Sequence, residues 1–267
     1  MTPTLIDTGP SPRGWHRIEL FLTCPMRYYW RKVAGVEDPP RAPLVRGTLG
    51  HAMLAHHYAQ QVAVLRGLDP ATFYSALEAS QIIADRYGDL GQRCRADALR
   101  GFERYRSTYV AENFEVIGIE RLLETHFEGF LYTARADLIV KVASTGKVWI
   151  YDHKVVGRID DRTFRRYTLS GQFLGLHHLG IANYGRDFGG VIINVVGCND
   201  GKLERAAPAP APWALVRFPK NVAMAERRIA DLEGAGDVSL WPMATSEHAC
   251  VGPYGFCDFF DKCRWGK

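Results

Sequence analysis

The stretch that most constrains the fold of this chain runs from Leu131 to Val156. It contains two runs rich in apolar and β-branched residues, separated by a Ser-Thr-Gly sequence, and this pattern is typical of two strands joined by a turn. Because side chains alternate between the faces of a strand, Asp152 and Lys154 are expected to point the same way. Pairing of the two strands would bring Asp137 toward them. The sequence therefore predicts two carboxylates and one amine at a single place.

The chemistry of these three groups favours a divalent-metal site over a place in the core. Unneutralised charges are costly to bury, whereas carboxylate oxygens are ligands for hard cations. An Asp and a Lys two residues apart at the end of a strand also form ordinary solvated ion pairs, which contribute little to stability. The Asp-x-Lys pattern alone therefore does not establish a function, and other motifs in the chain are needed to assign one.

The order of the remaining elements indicates an α/β fold, in which helices flank a mixed sheet. The patterns predict strands in the segment FEVIGIERLLETHF, in the hairpin, at Val191–Cys198 and around Leu215–Phe218. They predict helices at about Arg17–Val33, Thr48–Arg66, Ser170–Asn183 and Asn221–Glu233. The whole chain, 1–267, is interpreted as one domain, with a helical lobe at 48–113 and a cysteine-rich tail at 240–267.

Composition is that of an ordinary globular protein, with 47% hydrophobic and 23% charged residues. The formal net charge of +4 is compatible with a nucleic-acid partner but does not identify one. No run of about 18 apolar residues and no signal-peptide pattern is present, which predicts a cytoplasmic protein without a membrane span, either bacterial or phage-encoded. Six cysteines in such a chain argue against a disulfide framework.

Three of these cysteines, Cys250, Cys257 and Cys263, lie close together in the tail. Their spacing suits a metal site that needs a fourth thiolate, and Cys24 is the candidate. Four thiolates hold either zinc or an iron-sulfur cluster, and spacing alone does not choose between them.

Near Cys24, the residues Arg27, Tyr28 and Arg31 combine positive charge with an aromatic ring. Such a mixture suits contact with phosphates and stacking on bases, and it suits an ordinary half-buried helix equally well. Further along, His51 follows Gly47 and Gly50, which would let the backbone approach other groups closely.

Together these motifs resemble the RecB-like branch of the PD-(D/E)XK nuclease superfamily. The resemblance covers most of the chain, and four segments match the motifs of that family in order: RGTLGHAML with His51, TARADLIV with Asp137, WIYDHKVV with Asp152, His153 and Lys154, and SGQFLGL with Gln172. The family usually has a tyrosine four residues after the glutamine, where this chain has Leu176.

The resemblance implies a deoxyribonuclease that depends on Mg²⁺ or Mn²⁺ and hydrolyses DNA in recombination, repair or CRISPR-type processing, as an exonuclease on DNA ends or single strands. His51, Asp137 and Asp152 would bind the metal together with the backbone carbonyl of His153. Lys154 would polarise the attacking water, with a pKa lowered by the cation, and Gln172 would position Lys154 or the substrate. Glu120, on the preceding strand, could support the site, but it is expected to be an exposed acid.

The cysteine pattern resembles the iron-sulfur branch of the family, which includes AddB-type and CRISPR-adaptation nucleases. In that branch a [4Fe-4S] cluster joins one upstream cysteine to three at the C-terminus. Many members have a C-x2-C pair where this chain has Cys250-x6-Cys257.

Two other functions stay open from the sequence. The fold could serve as an inactive module that binds DNA or a protein, although a binder has no use for two acids that face phosphates. The chain could also be a zinc-stapled binding protein. No P-loop motif is present, so a helicase or another recombination or CRISPR partner would have to unwind DNA.

Overall fold

The predicted hairpin forms the middle of the sheet in the computed structural model, which describes residues 2–244, 246–252 and 255–266. Strands β2 (Phe130–Lys141) and β3 (Val148–Val156) pair antiparallel, and the turn between them includes Gly146 with a φ of +68°. Glycine favours this left-handed conformation because it has no Cβ atom. The strand-turn-strand pattern is therefore confirmed.

In the described part of the chain, five strands form one mixed sheet in the order β1-β2-β3-β4-β5. Pairing is parallel between β3 and β4 and antiparallel between the other neighbours. The remaining strands of this sheet are β1 (Glu115–Phe127), β4 (Phe188–Gly197) and β5 (Leu203–Ala206). A mixed sheet flanked by helices was predicted, and this prediction is confirmed.

The alternation predicted for β3 decides which helices cover each face of the sheet. Val148 and Ile150 pack into a core with the helices α1, α7 and α8, whereas Trp149 and Tyr151 pack on the other face with α3, α4 and α5. The helices are α1 (Trp15–Thr23), α2 (Pro25–Tyr28), α3 (Ala42–Leu65), α4 (Ala76–Asp85), α5 (Gly88–Thr108), α6 (Thr163–Thr168), α7 (Gly171–Tyr184) and α8 (Pro212–Ala235).

The first predicted helix is two helices followed by a π-helical turn at Tyr29–Val33. Cys24 ends α1 in an extended conformation with a φ of −162°, and Pro25 then opens α2. Proline has no amide hydrogen, and the first turn of a helix is where this donor is not needed. The helical segment after Arg41 also begins earlier than predicted, at Ala42, with Pro43 in its first turn.

The prediction of a short strand at Leu215–Phe218 is wrong, because these residues belong to α8. Pro212 opens this helix at a position that favours proline, and Phe218 turns into the core while Val216 stays exposed. The helix continues through Pro219 to Ala235. The sequence also did not predict β5, which pairs with the end of β4.

The tail contains the helices α9 (Glu247–Cys250) and α10 (Phe260–Trp265) and a two-stranded ribbon of β6 (Val251–Gly252) and β7 (Gly255–Phe256). The predicted cysteine-rich tail, 240–267, includes residues 245, 253, 254 and 267, which lie outside the described residues. Within the described ranges, no helix has both the length and the apolar character that crossing a bilayer requires.

Candidate active site

The site begins where β2 and β3 separate. Their pairing ends at Leu138 and Tyr151, and beyond this point the amide of His153 donates a hydrogen bond of 2.6 Å to Oδ2 of Asp137. The Asp137 carboxylate thus accepts a hydrogen bond from a β3 amide at a point where β2 no longer offers a backbone carbonyl as the acceptor. This bond fixes the orientation of Asp137, which is buried.

A second strand and a helix bring two more metal-ligand groups to Asp137. Nδ1 of His51 on α3 lies 3.4 Å from Oδ1 of Asp137 and 4.0 Å from Oε1 of Glu120 on β1. One ligand atom from each of these three residues lies within 4.8 Å of the others. Three donors at this spacing can reach a single divalent ion, so the donor set fits Mg²⁺ or Mn²⁺.

The end of β3 and the start of α7 form the other half of the site. Nζ of Lys154 donates to Oδ1 of Asp152 at 2.7 Å and to Oε1 of Gln172 at 3.1 Å. Nε2 of Gln172 donates to the same Asp152 oxygen at 3.2 Å, which closes a triangle of hydrogen bonds. The hydroxyl of Ser170 caps α7 by accepting from the Gln172 amide, and this fixes where the glutamine side chain begins.

Electrostatics around Asp137 are those of a site prepared for a cation. Burial lowers the pKa of His51, but the Asp137 and Glu120 carboxylates outweigh this effect and raise it to about 9. Burial and the charge of Asp137 raise the pKa of Glu120 to about 9. Burial opposes ionisation of Asp137, yet the adjacent His51 lowers its pKa to about 2. A proton on His51 therefore supplies positive charge between the acids when no metal is bound.

The pKa of Lys154 is not lowered by its surroundings in this metal-free arrangement. Burial lowers it, but the Asp152 and Asp137 carboxylates outweigh burial and the net shift is upward. Burial raises the pKa of Asp152 despite the neighbouring amine. The sequence predicted a lowered Lys154 pKa next to a cation, so that prediction applies only to the metal-loaded site.

The prediction that Glu120 is an exposed strand acid is wrong. Glu120 is buried, and its backbone has a φ of +46°, an unusual conformation for a residue with a side chain. Its neighbours Ile119 and Arg121 keep their pairing with β2. The local distortion turns the carboxylate into the site, and strand alternation in the sequence does not reveal such a turn.

The side chain of His153 lies on the opposite face of β3 from Asp152 and Lys154. Its Nδ1 accepts a 2.8 Å hydrogen bond from Asn194, and burial lowers its pKa to about 3, so the ring is neutral. Its backbone carbonyl stays a predicted metal ligand.

Of the three predicted DNA contacts, Tyr28 lies in the core, whereas Arg27 and Arg31 lie together beside Asp38. Tyr28 is buried, donates to Glu233 at 2.9 Å and stacks on Trp241, so the prediction that it stacks on bases is wrong. Arg27 and Arg31 lie 3.5 and 3.2 Å from Asp38. Both arginines line a cleft of about 950 Å³.

This cleft leads from the site toward the tail. It is lined by Val155 and by Tyr167, whose ring centroid lies 5.5 Å from Nζ of Lys154, and at its far side by Cys257. Its basic side chains outnumber the acids Glu19, Asp38 and Asp160; they are Arg27, Arg31, Arg41, Arg46, Arg158 and Arg166. The sequence did not single out Tyr167 or most of these arginines.

The four cysteines that were grouped from the sequence line one small cavity. Cys24 lies at the junction of α1 and α2, and the tail brings Cys250, Cys257 and Cys263 to it. All four are free thiols, and Cys24 is buried. Two further thiols, Cys94 and Cys198, are buried elsewhere.

This chain is similar in fold to a known structure. A crystal structure described as a "Putative exonuclease" from Eubacterium rectale shares the fold, with a TM-score of 0.55 and 14% identity over 94% of this chain and 88% of that one. The crystal structure of SSO0001 is 12% identical over 75% of this chain and 84% of that one, and its TM-score of 0.29 is too low to support an argument.

No curated protein gives a significant match to this sequence. The sequence model of the PD-(D/E)XK nuclease superfamily matches residues 15–174, which contain His51, Glu120, Asp137, Asp152 and Lys154. This segment is more than half of the chain and carries the β-strands of the site. The chain therefore belongs to the PD-(D/E)XK nuclease superfamily.

Proposed function

We propose that this protein is an Mg²⁺- or Mn²⁺-dependent deoxyribonuclease that cuts phosphodiester bonds at DNA ends or in single strands. One observation carries the proposal: the donor set of His51, Glu120 and Asp137 lies beside the hydrogen-bonded triangle of Asp152, Lys154 and Gln172. A structural ion pair does not require three acids and an imidazole at one place, whereas metal-assisted hydrolysis does.

Each residue has a role that follows from its contacts. Asp137, Glu120, His51 and Asp152 would hold the metal, together with the carbonyl of His153. A bound divalent ion supplies Lewis-acid stabilisation of the charge that develops on the phosphate. Lys154 would orient the attacking water through its ammonium hydrogens, and Gln172 would hold Lys154 in place through the 3.1 Å hydrogen bond.

The basic cleft supports DNA as the substrate. Arg158 and Arg166 have no carboxylate within 4.0 Å among the described residues, so their charges are available to phosphates. The cleft reaches Lys154 through Tyr167, whose ring could also stack on a base. Because the cleft extends from these arginines to the active site, a DNA strand bound in it would pass over the catalytic groups. Protein partners such as a helicase or a recombination or CRISPR factor stay part of this proposal.

The cysteine cavity supports the iron-sulfur, RecB-like branch of the superfamily. Cys24, Cys250, Cys257 and Cys263 would bind a [4Fe-4S] cluster that joins the N-terminal helices to the tail. Zinc is the alternative occupant of four thiolates. Iron, sulfide and zinc analysis of anaerobically purified protein would separate the two.

The test is a cleavage assay with end-labelled single- and double-stranded DNA in Mg²⁺, in Mn²⁺ and in EDTA. Cleavage should need a metal, and Asp152→Asn and Lys154→Ala should each lower its rate by about 10³-fold, because several kcal/mol of transition-state stabilisation are lost. Lys147→Ala is the matched control, since Lys147 precedes the same strand at its other end and its ammonium group donates to the Arg186 carbonyl oxygen at 2.7 Å. DNA binding without cleavage by the parent protein would favour the inactive binding module instead.

A further inference from the structure

A row of polar side chains, of which His153 and Asn194 are buried and Arg205 is half-buried, crosses the sheet on the face opposite Asp152 and Lys154. His153, Asn194 and Arg205 are direct neighbours on β3, β4 and β5. Asn194 donates to Nδ1 of His153 at 2.8 Å, and its carbonyl oxygen accepts from Nε of Arg205 at 2.8 Å. The ring of His153 is thus held in one orientation by a chain of bonds that starts at Arg205.

Arg205 also belongs to a closed ring of four hydrogen-bonded groups. Its guanidinium donates to Oε1 of Glu112 at 2.5 Å and to the Tyr105 hydroxyl at 2.7 Å. The Tyr58 hydroxyl donates to Oε2 of Glu112 at 2.5 Å and lies 2.6 Å from the Tyr105 hydroxyl. The guanidinium carbon of Arg205 lies 3.5 Å from the ring centroid of Tyr109.

This hydrogen-bonded ring connects α3, which carries His51, to β3, which carries Asp152 and His153. Tyr58 follows His51 by seven residues on α3, two helical turns or about 10 Å along the same side of the helix. Its ring is parallel to the ring of His153 at an angle of 2°, with centroids 6.3 Å apart. The amide of His153 in turn holds Asp137. Arg205 therefore links the helix of His51 to the strand that orients Asp137.

We propose that Arg205 is a positioning residue for the metal centre, which sets the placement of α3, and with it His51, relative to β3 and Asp137. This inference rests on the proposed metal-dependent function. Arg205 suits the task because its planar guanidinium donates along three fixed directions at once, to Asn194, Glu112 and Tyr105. A lysine has the same charge but cannot reproduce this geometry. Groups that orient metal ligands typically change metal affinity by 10- to 100-fold when they are lost.

The competing explanation is that the hydrogen-bonded ring around Arg205 only stabilises the fold. Both explanations predict a less stable variant, so stability cannot separate them. They differ in metal affinity, because a purely stabilising contact affects the folded fraction and leaves the geometry of the remaining folded protein unchanged.

The matched control is a different arginine, buried and in an ion pair elsewhere in the fold. Arg17 on α1 pairs with Glu226 on α8. These two helices cover the face of the sheet opposite to the one that carries the Arg205 side chain. Arg17→Lys removes a comparable guanidinium contact without touching α3, β3 or β5. It should lower stability and leave metal affinity unchanged.

The experiment measures Mn²⁺ binding to the full-length protein by titration calorimetry, with thermal unfolding in EDTA as the measure of stability. Arg205→Lys should weaken Mn²⁺ binding by about tenfold. Tyr105→Phe, which removes one hydroxyl from the hydrogen-bonded ring and keeps the aromatic side chain, should weaken Mn²⁺ binding to a smaller extent and serves if Arg205→Lys does not fold. Arg17→Lys should bind Mn²⁺ as tightly as the parent.

Unchanged Mn²⁺ affinity in folded Arg205→Lys or Tyr105→Phe protein would overturn the proposal, and so would an equal loss in Arg17→Lys. The proposed nuclease activity is judged separately by cleavage with the parent protein. A parent that binds Mn²⁺ and does not cut DNA would refute that activity while leaving the positioning test valid. A parent that binds no Mn²⁺ would overturn both.

Discussion

Gly50 on α3 lies directly against Val155 on β3: a Cβ atom at Gly50 would come within 2.5 Å of Cγ2 and 2.9 Å of Cβ of Val155. Valine is branched at Cβ and cannot rotate away from such a contact without leaving its preferred rotamer. The absence of a side chain at Gly50 therefore permits the close approach that brings the next residue, His51, to Asp137. Gly47, one turn earlier, has open space around it.

These two glycines give a matched pair of variants. Gly50→Ala should push α3 away from β3 and lower the cleavage rate by at least tenfold, because misplacing a metal ligand by about 1 Å is costly. Gly47→Ala should leave the rate unchanged and stabilise the helix by up to about 1 kcal/mol, since alanine favours helices. Cleavage rates and denaturant midpoints check both expectations. Equal rates for the two variants would show that the approach of α3 to β3 does not matter for activity.

Replacing Glu120 tests whether it is a metal ligand. Glu120→Gln should weaken Mn²⁺ binding by about tenfold or more, because an amide oxygen carries no charge. The same change should stabilise the metal-free protein near pH 7, where folding forces this carboxyl to take up a proton.

The effect of Glu120 on stability changes with pH because its pKa differs between the folded and the unfolded protein. The pKa of Glu120 is about 9 in the folded protein and near its usual 4.5 when unfolded, so stability falls as pH rises between these values. At pH 7 this cost is at most about 3 kcal/mol. The control is Glu124→Gln, an exposed acid on the same strand, which should change neither quantity. A Glu120→Gln protein that binds Mn²⁺ like its parent would remove Glu120 from the ligand set.

The comparison of Glu120 with Asp152 shows how far the sequence predicts the site. Asp152 and Lys154 lie in a regular strand, so alternation alone predicted that they share one face. In the structure, Nζ of Lys154 lies 2.7 Å from Oδ1 of Asp152. Glu120 reaches the site only through a backbone distortion, which no period-two pattern encodes. Local periodicity predicts side-chain direction only as long as the strand is regular.

The fold was predictable to a similar extent. The alternating segments of β1 to β4 face a core on at least one side, so their patterns were clear. The segment from Leu215 to Phe218 contains the strand-favouring residues Val216 and Phe218, but the proline at position 212 starts a helix whose packing on the core outweighs strand propensity. Cys24 could be predicted only as a candidate partner for three distant thiols, because local sequence patterns do not predict contacts between residues far apart in the chain.

Three histidines should make the metal-free protein less stable as the pH is lowered from about 6.5 to about 4, and together they outweigh the opposite contribution of Glu120. Burial lowers the pKa of His16, His57 and His177 to about 4 each, so these rings are neutral in the folded protein but protonated in the unfolded chain within this window. The unfolded state binds more protons there, which makes stability decrease with falling pH.

His177 is the most informative of the three because it is buried and its Nε2 has no hydrogen-bond partner among the described residues. A shift from 6.5 to about 4 corresponds to at most about 3 kcal/mol. His177→Leu should therefore flatten the pH dependence of the denaturant midpoint between pH 6.5 and 4.5. A variant with the same slope as the parent would show that His177 does not contribute.

The cysteines offer a prediction with an internal control. Cys263→Ser should abolish bound iron and visible absorbance, because Cys263 lines the cavity shared with Cys24, Cys250 and Cys257. Cys94→Ser should keep both, because Cys94 is buried among α3, α4 and α5 and contacts the Ala42 carbonyl at 3.5 Å. Since the cluster would join α2 to the tail, Cys263→Ser should also make the tail more sensitive to limited proteolysis. Full iron content in Cys263→Ser protein, or equal loss in Cys94→Ser, would contradict the assignment of these four thiols, and zinc in place of iron in the parent would replace the cluster by a zinc staple.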